Sequence, residues 1–273
     1  MKYLLLGITL TFFTSCGTYR YVYTASPANN PIFTKKGESK LAGYYSSSGG
    51  DGLGKTYAGG LDLQGAYAFD NHWAITASYM GRKEKDLYGD SFSNFDTSVV
   101  NYKRNLLELG GGYFTPLNKK KTIVFNMFGG FGKGKFSFTD HGIDNNDQPY
   151  SRMHQSNLSR WFIQPSINFL PGSYVRISYA MKFTLLNYHN INTNYTPEEL
   201  SSFSLQNLGV RSFIFAEPSL SFQIGMPSVP WVKLDAILSS VTNNKILTEI
   251  NVRTSNVSIG LNFDPSKMHS KKK

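Results

Sequence analysis

The sequence predicts an all-β protein: an antiparallel up-and-down transmembrane β-barrel of about 10 strands, with short periplasmic turns and longer extracellular loops. Three observations predict it. Aromatic residues make up 15% of the 273 residues and charged residues only 17%, against about 25% charged in ordinary soluble domains. No internal run approaches the roughly 18 apolar residues that a transmembrane helix needs. From about Glu38 onward, apolar and polar residues alternate with period two, the weak per-strand signature of a barrel in lipid.

The elements follow in order. Residues 1–15 read as a lipoprotein signal peptide, with Lys2, an apolar run from Tyr3 to Phe13, and Thr14-Ser15 before Cys16. The run is too short to span a membrane and stay there. Cys16 is the only cysteine and stands at the cleavage point, where it resembles the acylated cysteine of a lipobox, although Phe13 departs from the usual Leu, Val or Ile. Without a second cysteine there is no intrachain disulfide and no thiolate metal site. Residues 16–37, rich in Tyr, Pro and Asn and without periodicity, read as an extended tether. Residues 38–264 are expected to form the barrel and residues 265–273 a basic periplasmic tail.

Ten strands are expected, at Ser39–Tyr45, Tyr57–Phe69, Trp73–Tyr79, Leu106–Phe114, Thr122–Phe138, Arg160–Phe169, Tyr174–Leu185, Phe213–Ile224, Trp231–Leu238 and Leu247–Phe263. Short turns at 70–72, 115–120, 170–173 and 225–230 alternate with long polar loops at 82–104, 140–158 and 187–208. That asymmetry belongs to outer-membrane barrels. An even strand count then places both termini, and the lipid anchor, on the periplasmic side. Rings such as Trp73, Trp161 and Trp231 near strand ends suit the membrane interfaces. Two strands carry proline at the same place, "FIQPSINF" and "FAEPSLSF", and each is expected to mark a bulge or a weakly paired position. Thr196, Pro197 and Glu199 form a helix-start signature in the 187–208 loop.

Inward positions of the expected strands are polar and of both signs: Asp62, Gln64, Glu108, Arg160, Gln164, Arg176, Lys182 and Glu217, with Lys233 and Asp235. A barrel this narrow is expected to be plugged by a salt-bridged polar network, since buried charges persist only when paired. The net charge of +10 is scattered, with no basic helix or stacking platform, so nucleic acid is not an expected partner; outer-membrane lipid and other outer-membrane proteins are. His141 and His154, near Asp140, Asp144 and Asp147 in one expected outer loop, are weak candidates for a catalytic base at the rim. The acidic run 140–147 lacks the spacing of a calcium loop, and no cofactor or metal is expected.

The stretches "PANNPIFTKKGESKLAGYYSSS", "GLDLQGAYAFDNHWAITASYM", "ELGGGYFTPL" and "FGGFGKGKF" together resemble a family of predicted outer-membrane β-barrel proteins of the Bacteroidota. Its members often begin with a lipobox cysteine and a short Asn-x-Pro tether ending in Gly-Glu. The resemblance implies fold and location and no established activity. Gly17-Thr18-Tyr19-Arg20 lacks the acidic cluster that resembles a surface-export signal in lipoproteins of that phylum, which implies a periplasmic anchor. Residues and resemblance together lead to a lipid-anchored barrel with a structural or interaction role, an accessory subunit of an outer-membrane complex. The alternatives are a narrow channel or carrier for a small solute and a rim-active hydrolase or acyltransferase. A soluble lipid-tethered β-protein is a further one.

Overall fold

The computed structural model describes residues 20–49, 55–88, 98–143, 147–172, 174–242 and 250–268. The strands, numbered along the chain, are β1 (Tyr21–Thr24), β2 (Ser39–Gly49), β3 (Lys55–Ala68), β4 (Trp73–Tyr88), β5 (Ser98–Pro116), β6 (Ile123–Ile143), β7 (Pro149–Phe169), β8 (Val175–Thr193), β9 (Ser212–Met226), β10 (Val229–Ser240), β11 (Asn251–Arg253) and β12 (Ser255–Phe263). Ten of them close into one barrel, β2 through β10 in order and then β12. Every neighbouring pair in the ring is antiparallel, and β12 seals it on β2 from Ser255↔Gly49 to Phe263↔Leu41. The remaining two, β1 and β11, form a separate parallel pair.

The outer wall carries an apolar belt. Tyr79, Leu107, Leu109, Trp161, Ile163, Phe183, Ile224 and Ile259 are all exposed. On β7 the belt runs from Trp161 to Phe169, ~27 Å along the strand. With the strand tilt this approaches the ~25 Å apolar band of barrels in lipid. Ring pairs strengthen it, with Phe131 and Trp161 at 4.7 Å between centroids and Trp73 and Tyr113 edge to face at 5.7 Å.

Above the belt the alternation inverts. Within the belt the apolar side chains point out and the polar ones in. Beyond it, Tyr88, Val100, Tyr102, Phe136, Phe138, Leu186 and Tyr188 point in and are buried, while Lys83, Lys103 and Lys135 point out and are exposed. Water replaces lipid outside, so the apolar residues turn to the interior and build a core there. This inversion corrects the expected long loops. Most of 82–104 and of 140–158 is strand: β4 runs on to Tyr88, β5 starts at Ser98, β6 runs on to Ile143 and β7 starts at Pro149. Of the expected strand Leu247–Phe263, residues 247–249 lie outside the described residues, and the rest is two elements, β11 inside the barrel and β12 in its wall.

Pro165 and Pro218 point outward, with Gln164 and Glu217 buried beside them. Neither produces a bulge. The β7–β8 ladder passes from Ile163↔Phe183 to Ser166↔Ala180 in constant register, skipping Gln164 and Pro165. The β9–β10 ladder stops at Ser219↔Ser239 and resumes only at an isolated bridge, Ala216↔Thr242. Each proline lacks the N–H that the ladder needs, so each leaves a gap on one side. Both prolines flank Met181, which Pro165 faces across the first gap and Pro218 faces in register. The weakly paired position is present; the bulge is not.

The expected tether is the largest correction. Residues 20–33 are all buried, with Ala25 and Arg20 at 0% and 1% exposure. They lie inside the barrel, held by side chains from β2, β3 and β5 to β9. Cys16, the signal peptide and residues 269–273 of the tail lie outside the described residues.

Candidate functional site

The lumen is the candidate site, and it is occupied by the chain's own N-terminal segment. The short turns define its lower mouth and the long hairpins its upper one. Arg20 stands at the upper mouth, where its Nη2 meets Asp140 Oδ2 at 2.5 Å and its guanidinium covers the Phe203 ring at 4.3 Å. Asp140 also accepts from Ser98 Oγ at 2.8 Å and from the Tyr195 hydroxyl at 2.9 Å. From there the segment descends. Tyr21 C=O accepts from Arg104 Nη2 at 2.5 Å, and Val22 C=O from the Tyr188 hydroxyl at 2.7 Å. Pro27 C=O accepts from Gln64 Nε2 at 3.0 Å. Asn30 donates to Asn168 Oδ1 at 2.8 Å and accepts from Asn126 Nδ2 at 2.9 Å. At the lower mouth Phe33 packs edge to face on Phe114 at 5.7 Å. An extended segment cannot satisfy its own backbone groups, so a polar lumen supplies the partners.

Ion pairs fix the segment in tiers. In the middle tier Arg160 Nη2 meets Glu108 Oε1 at 2.6 Å, and Lys182 Nζ lies 3.4 Å from Glu108 Oε2. Arg160 also donates to the Tyr23 hydroxyl at 2.5 Å and to Ser26 Oγ at 2.9 Å. Tyr23 in turn donates to Glu217 Oε1 at 2.7 Å, which also accepts from Thr184 at 2.6 Å. In the upper tier Arg253, on β11, reaches Glu84 at 2.6 Å and Asp86 at 2.9 Å. On one flank Asp62 accepts from Arg82 Nη2 at 2.6 Å and from Ser46 Oγ. Below, Gln64 accepts from Lys40 Nζ at 2.8 Å, Gln164 donates to Asn29 C=O at 3.1 Å, and Tyr44 donates to Asp235 at 2.8 Å. Arg176 is half-buried on the inward face at the lower mouth. Among the described residues, the spaces left beside Pro27 and beside Ala28 measure about 10 Å³ each, room for one water apiece.

Sequence reasoning named the inward residues of the lower and middle tiers. It missed Arg82, Glu84, Asp86, Arg104 and Asp140, which lie in stretches taken for loop, and Arg20, Tyr23 and Ser26 of the presumed tether. The signal was present in "RKEKD" (82–86), where alternate residues belong to opposite faces.

The two histidines do not form a rim base. His141 is exposed on the outer face of β6, opposite Ser151. His154 is fully buried on the inner face of β7, stacked on Phe138 at 5.3 Å, with neither ring nitrogen bonded. His154 lies well beyond Trp161, outside the span, and burial among rings pushes its pKa down to about 4. Of the expected acids, Asp140 is committed to Arg20, and Asp144 lies outside the described residues. Helix α1 (Pro197–Ser202) carries the expected capping box, with Glu199 accepting from Thr196 N–H at 2.8 Å. Glu199 also pairs with Arg152 at 2.9 Å, which ties the helix to the top of β7. Its loop lays Leu200 and Phe203 against the upper core.

Comparison with solved structures agrees with this geometry. The translocator domain of the autotransporter NalP from Neisseria meningitidis is 10% identical, covering 83% of this chain and 88% of that one, at a TM-score of 0.50. The fold is that of an outer-membrane β-barrel. The outer membrane protease OmpT from Escherichia coli (11% identity, 86% and 99% coverage, TM-score 0.41) and the attachment invasion locus protein Ail of Yersinia pestis (14%, 84% and 99%, 0.32) are further such structures. No protein-family model matches the chain, and no curated protein matches its sequence.

Proposed function

We propose that this barrel has a structural or interaction role in the outer membrane, as an accessory subunit whose working surfaces are its walls and external loops. The filled lumen supports this reading. Residues 20–33 occupy it from upper to lower mouth, tied by hydrogen bonds to at least six strands of the ring. A conduit for a small solute, the alternative from the sequence, requires the whole segment to leave. The mature chain in planar bilayers is therefore expected to pass no current even at high protein load. A steady conductance from the intact chain would sink the proposal. Mild-detergent purification with chemical crosslinking then tests the accessory role, and a barrel that always emerges alone argues against it.

The placement in the outer membrane draws on the fold and the apolar belt, and the long hairpins are taken as external. In that orientation Arg20 sits at the external mouth. Cys16 is four residues away along the chain, within ~15 Å by backbone reach. A lipid on Cys16 then belongs to the external side, opposite to the periplasmic anchor expected from strand parity. Parity counts only wall strands; the N-terminal segment crosses the membrane once more, inside them.

A further inference from the structure

On three neighbouring strands the pleat keeps the described carboxylates inside and turns the lysines outward. On β4, Arg82, Glu84 and Asp86 point inward and are buried, while Lys83 and Lys85 point outward and are exposed. Lys103 on β5 and Lys133 and Lys135 on β6 also point outward. Register places Lys83 directly opposite Lys103, and Lys103 opposite Ser137. The carboxylates described on these strands, Glu84, Asp86, Glu108 and Asp140, are all inside the barrel. Like charges facing each other across a sheet are destabilising, and here no outward carboxylate of β4–β6 offsets the repulsion.

The same wall is concave. Gly59 and Gly60 on β3 and Gly81 on β4 leave a groove of about 1080 Å³, lined by Tyr45, Tyr57 and Tyr79 and by Lys83, Lys103 and Lys135. Its depth is set by the belt. Tyr79 and Leu107 are exposed at the belt's upper edge, and the lysines follow along the same outward rows, one or two places higher. That is the level of lipid headgroups, where tyrosine rings and lysine ammoniums both settle.

We infer that this groove binds the phosphate-bearing headgroup of an outer-leaflet lipid. The ammoniums of Lys83, Lys103 and Lys135 receive the phosphate oxygens, and Tyr45 and Tyr79 line the boundary between headgroup and acyl chains. The depth argues for a lipid over a soluble polyanion.

The test uses the full mature barrel in detergent and a bisphosphorylated lipid A, with retained lipid read by native mass spectrometry. The wild type should retain it, less so as salt rises, and should retain the dephosphorylated lipid at least ten-fold less. K83Q/K103Q/K135Q should lose retention of the phosphorylated lipid about ten-fold while its unboiled band still shifts on heating. K119Q/K120Q, at the lower turn, should bind like wild type. Discrimination between the two lipids by the wild type stands even if the triple variant does not fold. Equal retention of both lipids, displacement by equimolar inorganic phosphate, equal capture of a soluble anionic polysaccharide, or full retention by a folded triple variant would each overturn the inference.

Discussion

Arg160 is fully buried and joins three parts of the chain, with Glu108 on β5, Glu217 on β9, and Tyr23 and Ser26 of the inner segment all within its reach. Arg160→Ala leaves Glu108 to Lys182 and the Ser78 hydroxyl and should cost about 3–5 kcal/mol, the usual penalty for breaking a buried pair from one side. The urea midpoint of the barrel in lipid vesicles measures it. Arg152→Ala, at a half-exposed pair with Glu199, should shift that midpoint far less. His154 gives a pH dependence with a definite sign. Its folded pKa of about 4 lies below the ordinary histidine value of 6.5, so the unfolded chain takes up the proton first. Stability is therefore undiminished above pH 6.5, falls by up to about 1.4 kcal/mol per pH unit between 6.5 and 4, and levels off below. His154→Phe should remove that slope, and an NMR titration of the ring should find it neutral at pH 5. A wild-type ring that titrates near 6.5 would contradict the packing around it. At this scale Asp62, Glu108 and Arg160 were legible because lipid outside forces a polar inside. His154 was not, because above the bilayer the same pleat serves the opposite pattern.

The inner segment has the composition of a solvated linker: "RYVYTASPANNP" is short, polar and broken by two prolines. A polar lumen makes the same demands as water. It offers donors to the carbonyls of Tyr21, Val22, Pro27 and Pro31 and tolerates proline, whose missing N–H needs no partner. Composition alone therefore could not separate a segment in solvent from one inside a barrel. Replacing residues 20–33 with a Gly-Ser linker should open steps of conductance that the intact chain lacks in planar bilayers. Trypsin should cut at the exposed Lys35 and Lys36 at the lower mouth while Arg20 stays protected. Rapid cleavage after Arg20 in the folded protein would place the segment outside the lumen. The long hairpins were only half legible. Their existence followed from spacing, but their strand content was hidden where the apolar face turned inward.

The wall is uneven. β5 to β8 are 19–21 residues long, whereas β10, β12 and β2 have 12, 9 and 11. The tall side carries the upper core, and β1 and β11 lie against it, with Arg253 on Glu84 and Asp86 of β4. An epitope fused before residue 20 should be reached by antibody on intact cells, and one fused after residue 268 only after permeabilisation. The reverse pattern would invert the molecule in its membrane. The pairing of β1 with β11 also bears on how the ring comes to exist. β1 lies upstream of the first wall strand, and β11 directly precedes the last. A finished ring offers no passage for this segment, since its interior is crossed by Arg160, Glu108 and Arg104. Closure must therefore come after filling. The parallel pair acts as a basting stitch: it gathers the two ends of the sheet around the segment, and β12 and β2 are sewn together last.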